Sequence, residues 1–115
     1  MPPLSKDFSK RSSTDVVAWE YDWDDNNFIF ISSNVEKLFG YPKKRWFEKG
    51  FWPSTIHPDD RDEAIGFCLI HTEAMQNHEF RYRMLRQDGS IAWVHDVVSS
   101  VEKRDDGRTM LRGVF

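Results

Sequence analysis

The sequence has little cysteine and no long apolar stretch. Its 115 residues include one cysteine, Cys68, which has no partner for an internal disulfide and no neighbouring ligands for a metal site. No apolar run approaches the roughly 20 residues that a spanning helix needs, and residues 1–7 lack the apolar core of a secretory signal. We therefore expect a cytoplasmic protein with no membrane insertion by this segment, and Cys68 as a small buried side chain.

Neither sign of charge is concentrated in a block. The chain has 16 Lys and Arg against 19 Asp and Glu, a formal net charge of −3, with the two signs interspersed. Nucleic acids and anionic membrane surfaces attract proteins through basic patches or stripes. This pattern gives no reason to expect either as a partner.

Motifs typical of catalysis are also missing from the sequence. It has no Gly-x-Ser-x-Gly turn, no glycine-rich phosphate loop and no His-Glu-x-x-His metal motif. His95 and Asp96 are adjacent, but neighbours in a strand point to opposite faces and cannot form a simple dyad. We expect no catalytic residues, no metal ligands and no enzymatic activity in this domain.

The chain does contain enough apolar material for one core. It is 39% apolar and 15% aromatic over 115 residues, which supports one domain and not two. Residues 1–15 begin with Pro2 and Pro3 and show little amphipathic pattern, so we assign them to an N-terminal tail or a lead-in helix. Residues 16–115 form the folded domain.

Period-two alternation opens that domain. From Val16 to Trp23 every second residue is large and apolar, which predicts a strand, and residues 28–31 predict a second strand after the polar turn at 24–27. The two strands form a hairpin.

Short helical pieces follow the hairpin and lead into one long helix. Ser33 has the capping-box spacing to Glu36 and predicts a short helix that ends at Gly40. The longest helix is predicted from about Pro58, a residue that fits the first helical position, to about Gln76. Its predicted buried stripe consists of Ala64, Phe67, Cys68, His71 and Met75.

Three strands close the domain. Residues 79–86, 91–101 and 109–115 are separated by Gln-Asp-Gly and Asp-Asp-Gly sequences, which favour tight turns because glycine accepts a positive φ. The fold class predicted from the pattern is α+β, with an antiparallel sheet, several short helices and one long helix.

Five sequence elements together resemble the PAS domain family, in the subgroup with a His-Pro-Asp-Asp-Arg helix start. They are the aromatic opening hairpin, Phe-Gly-Tyr-Pro at 39–42, Trp52 with Ile-His-Pro-Asp-Asp-Arg at 56–61, Phe-Arg-Tyr-Arg at 80–83 with Asp-Gly-Ser at 88–90 and Trp-Val at 93–94, and Arg-Gly-Val at 112–114. Each is weak alone, but their order and spacing are specific, and they span residues 16–115. The resemblance implies a five-stranded antiparallel sheet with helices packed on one face.

The resemblance also implies a sensory function within a larger signalling protein. Such domains occur in histidine kinases, diguanylate cyclases, phosphodiesterases and chemoreceptors, where they sense a small ligand or relay a signal, mostly in the cytoplasm. In the family the last strand leads into an effector domain, and Phe115 lies just short of that point, so we expect an excised domain. The alternative is a ligand-free module of the same fold that mediates dimerisation or protein interaction, and a homodimer is expected.

A ligand of such a domain would lie between the long helix and the sheet. From facing and family position, we expect nine residues to line that cavity, namely Phe30, Phe39, Ile56, Phe67, Ile70, His71, Phe80, Tyr82 and Val97. The tryptophans are a second possibility, because aromatic rings can form a cage for a planar or cationic ligand. Among them Trp19 and Trp93 are expected near a pocket or a dimer surface.

The sequence does not identify a cofactor. Haem-binding relatives place an axial histidine near the start of the long helix, whereas His57 precedes it and His71 lies toward its end. Flavin-binding relatives need a cysteine in the middle helices, and residues 34–47 contain none. Haem and flavin are therefore not expected. Capping of the long helix explains Asp59 and Asp60 beside His57 without a metal.

Overall fold

Three α-helices and five strands account for most of residues 15–115, the part of the chain that this computed structural model describes. In chain order they are β1 Ala18–Asp22, β2 Asn27–Ile31, α1 Val35–Phe39, a 3-10 helix Lys43–Phe47, α2 Phe51–Thr55, α3 Pro58–Glu73, β3 His78–Leu85, β4 Ile91–Lys103 and β5 Thr109–Val114. The tail or lead-in helix predicted for residues 1–15 lies outside the described residues, except for Asp15. None of the helices within residues 15–115 is both long and apolar enough to cross a bilayer.

The strands form one antiparallel sheet in the order β2-β1-β5-β4-β3. The predicted opening hairpin and closing three-stranded meander are both present, and they join where β1 pairs with β5, with Ala18 opposite Val114. The sequence-based prediction of an α+β fold with a five-stranded antiparallel sheet is confirmed. The helical segments cover one face of this sheet, which we call the inner face, and bury the core there.

Two Asp-Gly turns join the strands of the meander as predicted. Gly89 and Gly107 both have φ of 86°, the left-handed region that costs glycine least. Asp88 accepts a hydrogen bond from the backbone N–H of Ser90 at 2.9 Å, and Asp106 accepts one from that of Arg108 at 2.9 Å. Short polar side chains of this kind close turns by bonding to the backbone two residues further on.

A β-bulge in the hairpin moves Phe30 away from the core. The register passes from Tyr21 opposite Phe28 to Glu20 opposite Phe30, which leaves Ile29 without an opposing residue. The extra residue reverses the alternation, so Ile31 is buried while Phe30 is 45% exposed. The prediction that Phe30 faces an interior cavity is wrong for this reason.

Helix α3 begins as predicted and ends earlier. The side chains that recur every four residues along the helix are buried against the sheet. They are Ala64, Cys68 and Thr72. Ile70 lies two residues, about 200°, around the helix from Cys68, and is 67% exposed, so the prediction that it lines a cavity is wrong. Met75 lies beyond the helix with φ of 56° and is also exposed, so it does not extend the buried stripe.

Helix α1 begins without the predicted capping box. Its N-cap residue is Asn34, which makes no side-chain cap hydrogen bond. The side-chain amide of Asn34 instead donates to the backbone carbonyl of Val16 at 2.7 Å. Ser33 accepts a hydrogen bond from the Lys43 ammonium at 3.3 Å, so the residues near this helix start tie α1 to its neighbours.

Gly113 allows β5 to pass beneath the indole of Trp19. A Cβ atom at this position would lie 2.0 Å from the backbone oxygen of Val97 and 2.7 Å from Cζ2 of Trp19. Both distances are shorter than any side chain tolerates, so only glycine fits here without a shift of β4 or of the indole. The Arg-Gly-Val sequence near the end of the chain thus has a packing explanation.

We expect Gly113→Ala to lower the free energy of unfolding by roughly 3 kcal/mol, the cost of overpacking a core site. Urea unfolding monitored by tryptophan fluorescence measures the change. Gly66→Ala in α3 is the matched control, because a Cβ there meets nothing within 4 Å, and it should raise stability by up to about 1 kcal/mol. Equal effects of the two variants would contradict the packing explanation.

Candidate functional site

A small interior cavity lies between the inner face of the sheet and the helices α2 and α3. Its volume is about 20 Å³, and a cavity of this size holds about one water molecule. The part of the wall formed by residues 15–115 is mostly aromatic and contains one carboxyl group. The lining residues are Trp19, Tyr21, Trp23, Phe28, Trp52, Cys68, Asp96, Val98 and Leu111.

A chain of three buried hydrogen-bonding side chains reaches this cavity. Nε1 of Trp52 donates to the hydroxyl of Tyr82 at 2.9 Å, and that hydroxyl donates to Oδ2 of Asp96 at 2.6 Å. Because an indole N–H can only donate, the direction of the first bond is fixed, and an ionised Asp96 can only accept in the second. Trp52 comes from α2, Tyr82 from β3 and Asp96 from β4, so the chain links one helix to two strands.

The carboxyl group of Asp96 is buried and only half satisfied. Its Oδ2 accepts from Tyr82, whereas Oδ1 has no hydrogen-bond partner within the described residues. Removal from water raises the pKa of Asp96 from 3.8 to about 7, and the Tyr82 bond opposes that rise. A buried polar atom without a partner costs about 1–3 kcal/mol, so Oδ1 is an unsatisfied group of a residue that lines the cavity.

Cys68 and His78 form a second polar contact beside the cavity. Nε2 of His78 lies 3.3 Å from Sγ of Cys68, and Nδ1 of His78 lies 2.9 Å from the carbonyl oxygen of Gln76. The carbonyl can only accept, so Nδ1 carries the proton and Nε2 accepts from the thiol. Burial raises the pKa of Cys68 to about 12 and lowers that of His78, so the thiol stays protonated and unreactive.

None of the nine residues predicted to line a cavity lines this one, but Phe67, Phe80 and Tyr82 line a second cavity of about 420 Å³ between α3 and the strands β3 and β4. Tyr82 comes nearest, because its hydroxyl contacts both Trp52 and Asp96. Phe39 packs in the core against Trp46 and Phe115, with ring centroids 5.7 Å away in each case. Ile56 is fully buried and bridges to Met84 of β3. The fold therefore gives these three residues structural contacts.

The other predicted residues occupy the edge and the outside of the domain. Phe67, His71 and Phe80 stack together where α3 meets β3, with 4.2 Å between the rings of Phe67 and His71. Val97 faces away from the helices, since its neighbours Asp96 and Val98 are the buried residues of β4, so the prediction that it faces the cavity is wrong. The outward positions of Phe30 and Ile70 are described above.

Three of the tryptophans and one inward-facing aspartate mark the cavity better than the nine predicted residues do. Trp19, Trp23 and Trp52 line the cavity, while Trp46 is buried in the core and Trp93 is 73% exposed on the outer face. The residue that the sequence-based list missed is Asp96. Alternation alone places it on one face of β4 with Ala92, Val94 and Val98, and a charged residue in an apolar row is the sequence signal for it.

The His-Pro-Asp-Asp-Arg segment at 57–61 holds the fold together. Nδ1 of His57 accepts from the N–H of Asp59 at 3.1 Å and caps α3. Asp60 accepts from Nε and Nη2 of Arg83 at 2.9 and 2.7 Å and from its backbone N–H at 2.9 Å. Arg61 donates to the carbonyl oxygens of Pro53 and Ile56 at the end of α2. Arg83 is thus an internal anchor for α3.

We expect Asp60→Ala to lower the free energy of unfolding by roughly 2 kcal/mol, because it removes charge-assisted hydrogen bonds. The bonds from Arg83 lower the pKa of Asp60 to about 2, so the carboxylate is ionised at neutral pH. Asp62→Ala, at an exposed site of the same helix, is the control for charge and helix propensity. Thermal unfolding of both variants at neutral pH tests the expectation, and a smaller loss for Asp60→Ala than for Asp62→Ala would contradict it.

A comparison with protein families gives one match, to the PAS fold, over residues 28–115. No curated protein matches the chain. Among solved structures, the N-terminal domain of a diguanylate cyclase with a PAS/PAC sensor from Marinobacter aquaeolei is 32% identical, with a TM-score of 0.78. The match covers 86% of this chain and 91% of that one.

A second similar structure is more distant in sequence. A sensory box histidine kinase/response regulator from Burkholderia thailandensis is 19% identical with a TM-score of 0.69, over 88% of this chain and 75% of that one. At this identity the likeness concerns the fold alone. It shows that the same sheet and helix arrangement occurs in more than one class of signalling protein.

Proposed function

This chain belongs to the PAS fold family, and from that premise we propose that it senses a small molecule in the cavity at Asp96 and relays occupancy to an effector domain of a larger cytoplasmic signalling protein. Sensor domains of a diguanylate cyclase and a histidine kinase share its architecture. A kinase, cyclase, phosphodiesterase or chemoreceptor output is consistent with these relatives.

The unpaired Oδ1 of Asp96 is the observation that carries the proposal. A fully packed structural core has little reason to retain a buried carboxyl group with an open hydrogen-bonding position. A ligand that bonds to Oδ1 recovers the desolvation cost of that atom, and this gives it a differential affinity for the state in which the cavity is open.

The position of the cavity also suits a relay. Its wall includes Val98 of β4 and Leu111 of β5, the strand that ends the domain. A ligand larger than one water molecule displaces part of this wall, and densely packed protein interiors transmit such strain. In this proposal, displacement of β5 is the signal passed to the segment that follows it.

The buried groups around the cavity favour binding over catalysis. Burial, and after it the nearby charge of Asp96, raises the pKa of the Tyr82 hydroxyl well above its ordinary value. The thiol of Cys68 is likewise held protonated. Neither group supplies an activated nucleophile at neutral pH, so their contribution here is to orient and enclose a bound molecule.

Native mass spectrometry of the full chain, purified without denaturant, tests the sensing proposal. We expect a bound small molecule, or a saturable rise in Tm with members of a fragment library. Cys68→Leu fills the cavity and should abolish both, whereas Val94→Ile, on the same face but outside the cavity wall, should abolish neither. A bare mass together with no saturable rise in Tm would overturn the proposal.

A second candidate function is dimerisation through the outer face of the sheet. Four apolar side chains there, Ala18, Phe30, Val97 and Val114, are partly or fully exposed. We call them the outer patch, and the Glu20–Arg112 ion pair of 2.9 Å lies beside it. Because the border of the patch carries one acidic and one basic side chain, two copies related by a twofold axis can place opposite charges against each other.

Sedimentation of the full chain at micromolar concentration tests the second candidate. We expect a dimer that Phe30→Ser weakens at least about tenfold, since loss of a buried aromatic anchor costs more than 1.4 kcal/mol. Ile70→Ser, an exposed apolar residue on the opposite side, is the control and should not change the dissociation constant. A strict monomer would exclude this function.

A further inference from the structure

The composition of the cavity wall restricts the ligand. Among the described residues nine line the cavity, of which five are aromatic and Asp96 alone carries a carboxyl group. Neighbouring rings are nearly perpendicular, with interplanar angles of 82° for Tyr21 and Phe28, 75° for Trp19 and Phe28 and 70° for Tyr21 and Trp52. Perpendicular rings enclose a space from several sides instead of stacking flat across it.

Within residues 15–115, the cavity wall provides a carboxyl group and no positively charged side chain. No Lys, Arg or His side chain of residues 15–115 lines the cavity, and the one hydrogen bond that the Asp96 side chain receives there comes from the neutral hydroxyl of Tyr82. The negative charge of an ionised Asp96 is therefore not balanced by a cation of the described part of the chain. Removing a carboxylate from water without a counter-charge is costly.

On the basis of the sensing function proposed above, we infer that the cavity takes the head group of a small organic ammonium compound, with an N–H that donates to Oδ1 of Asp96 and aromatic rings that enclose the cation. Ring faces carry partial negative charge and attract ammonium groups. A desolvated charge-assisted hydrogen bond adds direction to that attraction.

Trp23 provides the means of entry. It lines the cavity and is only partly buried, and its ring lies 6.4 Å from that of Tyr21 with a tilt of 57°. In this proposal, rotation of the Trp23 side chain opens the cavity to solvent and adds the space of the indole to the 20 Å³ already present. The remaining carbon chain of the ligand then lies where the indole was packed.

Titration calorimetry with two probes of equal shape, n-butylammonium and the neutral n-butanol, tests the inference at a pH above the Asp96 pKa of about 7, where the carboxylate is ionised. We expect saturable binding of n-butylammonium to the wild-type chain, with n-butanol at least about tenfold weaker. Asp96→Asn should weaken n-butylammonium about 30-fold or more and leave n-butanol nearly unchanged. Asp62→Asn, an exposed carboxylate, controls for the loss of net charge and should change neither.

Each other result overturns the inference. Equal affinity for both probes, or n-butylammonium binding that survives Asp96→Asn, excludes recognition of a cation while sensing in the cavity stands. Binding of neither probe also overturns the ammonium inference, and the native mass experiment then decides separately whether the cavity holds some other class of molecule.

Discussion

The stability of the wild-type protein falls by roughly 4 kcal/mol relative to Asp96→Asn as the pH rises from about 4 to 7. The folded chain keeps the proton of Asp96 up to a pKa of about 7, while the unfolded chain releases it near 3.8. Between these values the folded state binds more protons, so the stabilising contribution is complete below pH 3.8 and is lost by about pH 7. The size of this loss follows from the difference between the two pKa values, because each pKa unit corresponds to about 1.36 kcal/mol.

The Asp96→Asn variant isolates this effect from the other titrating groups. Asp60 and Asp22 have lowered pKa values and His78 also titrates with a lowered pKa, and each of them adds stability as the pH rises. All three groups are present in both proteins. Their contributions therefore cancel when the unfolding free energies of the two proteins, each measured by urea denaturation across the pH range, are subtracted. A difference that stays constant between pH 4 and 7 would mean that the unfolded and folded chains release this proton alike, contrary to the burial of Asp96.

Replacing Tyr82 with Phe lowers the free energy of unfolding by roughly 3 kcal/mol. The hydroxyl is the acceptor for Trp52 and the donor to Asp96, so its removal leaves two buried polar groups without a partner, at about 1–3 kcal/mol each. The pKa of Asp96 should rise further, because the Tyr82 bond is the contact that opposes its upward shift. Urea unfolding at pH 6 measures the loss.

Tyr41→Phe is the matched control for the same chemical change. Its hydroxyl makes a single bond of 2.8 Å to the carbonyl oxygen of Leu85 at a half-buried site, and we expect a cost of about 1 kcal/mol. The double variant Tyr82→Phe with Asp96→Asn should show a coupling free energy of about 0.5–3 kcal/mol, as for neighbours in one network. Equal losses for the two tyrosines would show that the buried chain adds nothing beyond one hydrogen bond.

Local signals in the sequence predicted the elements well. The alternation in residues 16–23, the two Asp-Gly turns and Pro58 at the start of the long helix each depend on backbone preferences within a few residues. Such preferences act before any tertiary contact forms, and the structure has β1, both turns and α3 near the predicted places. The order of motifs then indicated the PAS family, which the match over residues 28–115 confirms.

The wrong predictions concern positions where a local sequence pattern is compatible with two orientations of the side chains. On β4 the residues of one face include Val97 and those of the other include Asp96. Both sets alternate equally well, so the pattern alone does not predict which face is turned toward the helices. One extra residue in β2 turned Phe30 outward, although the sequence of the strand looks regular. On α3 the burial of Cys68 and Thr72 decided the orientation, and this set Ile70 toward solvent.

The sequence by itself determined which segments are strands, turns and helices, and the family to which their order belongs, because these follow from residue-by-residue backbone preferences. Only the tertiary structure decided that Trp52, Tyr82 and Asp96 form one hydrogen-bonded chain and that Oδ1 of Asp96 is left open in an aromatic cavity. The three residues are 14 to 44 positions apart, and their contact depends on how α2 packs over β3 and β4. That packing is a property of the whole core.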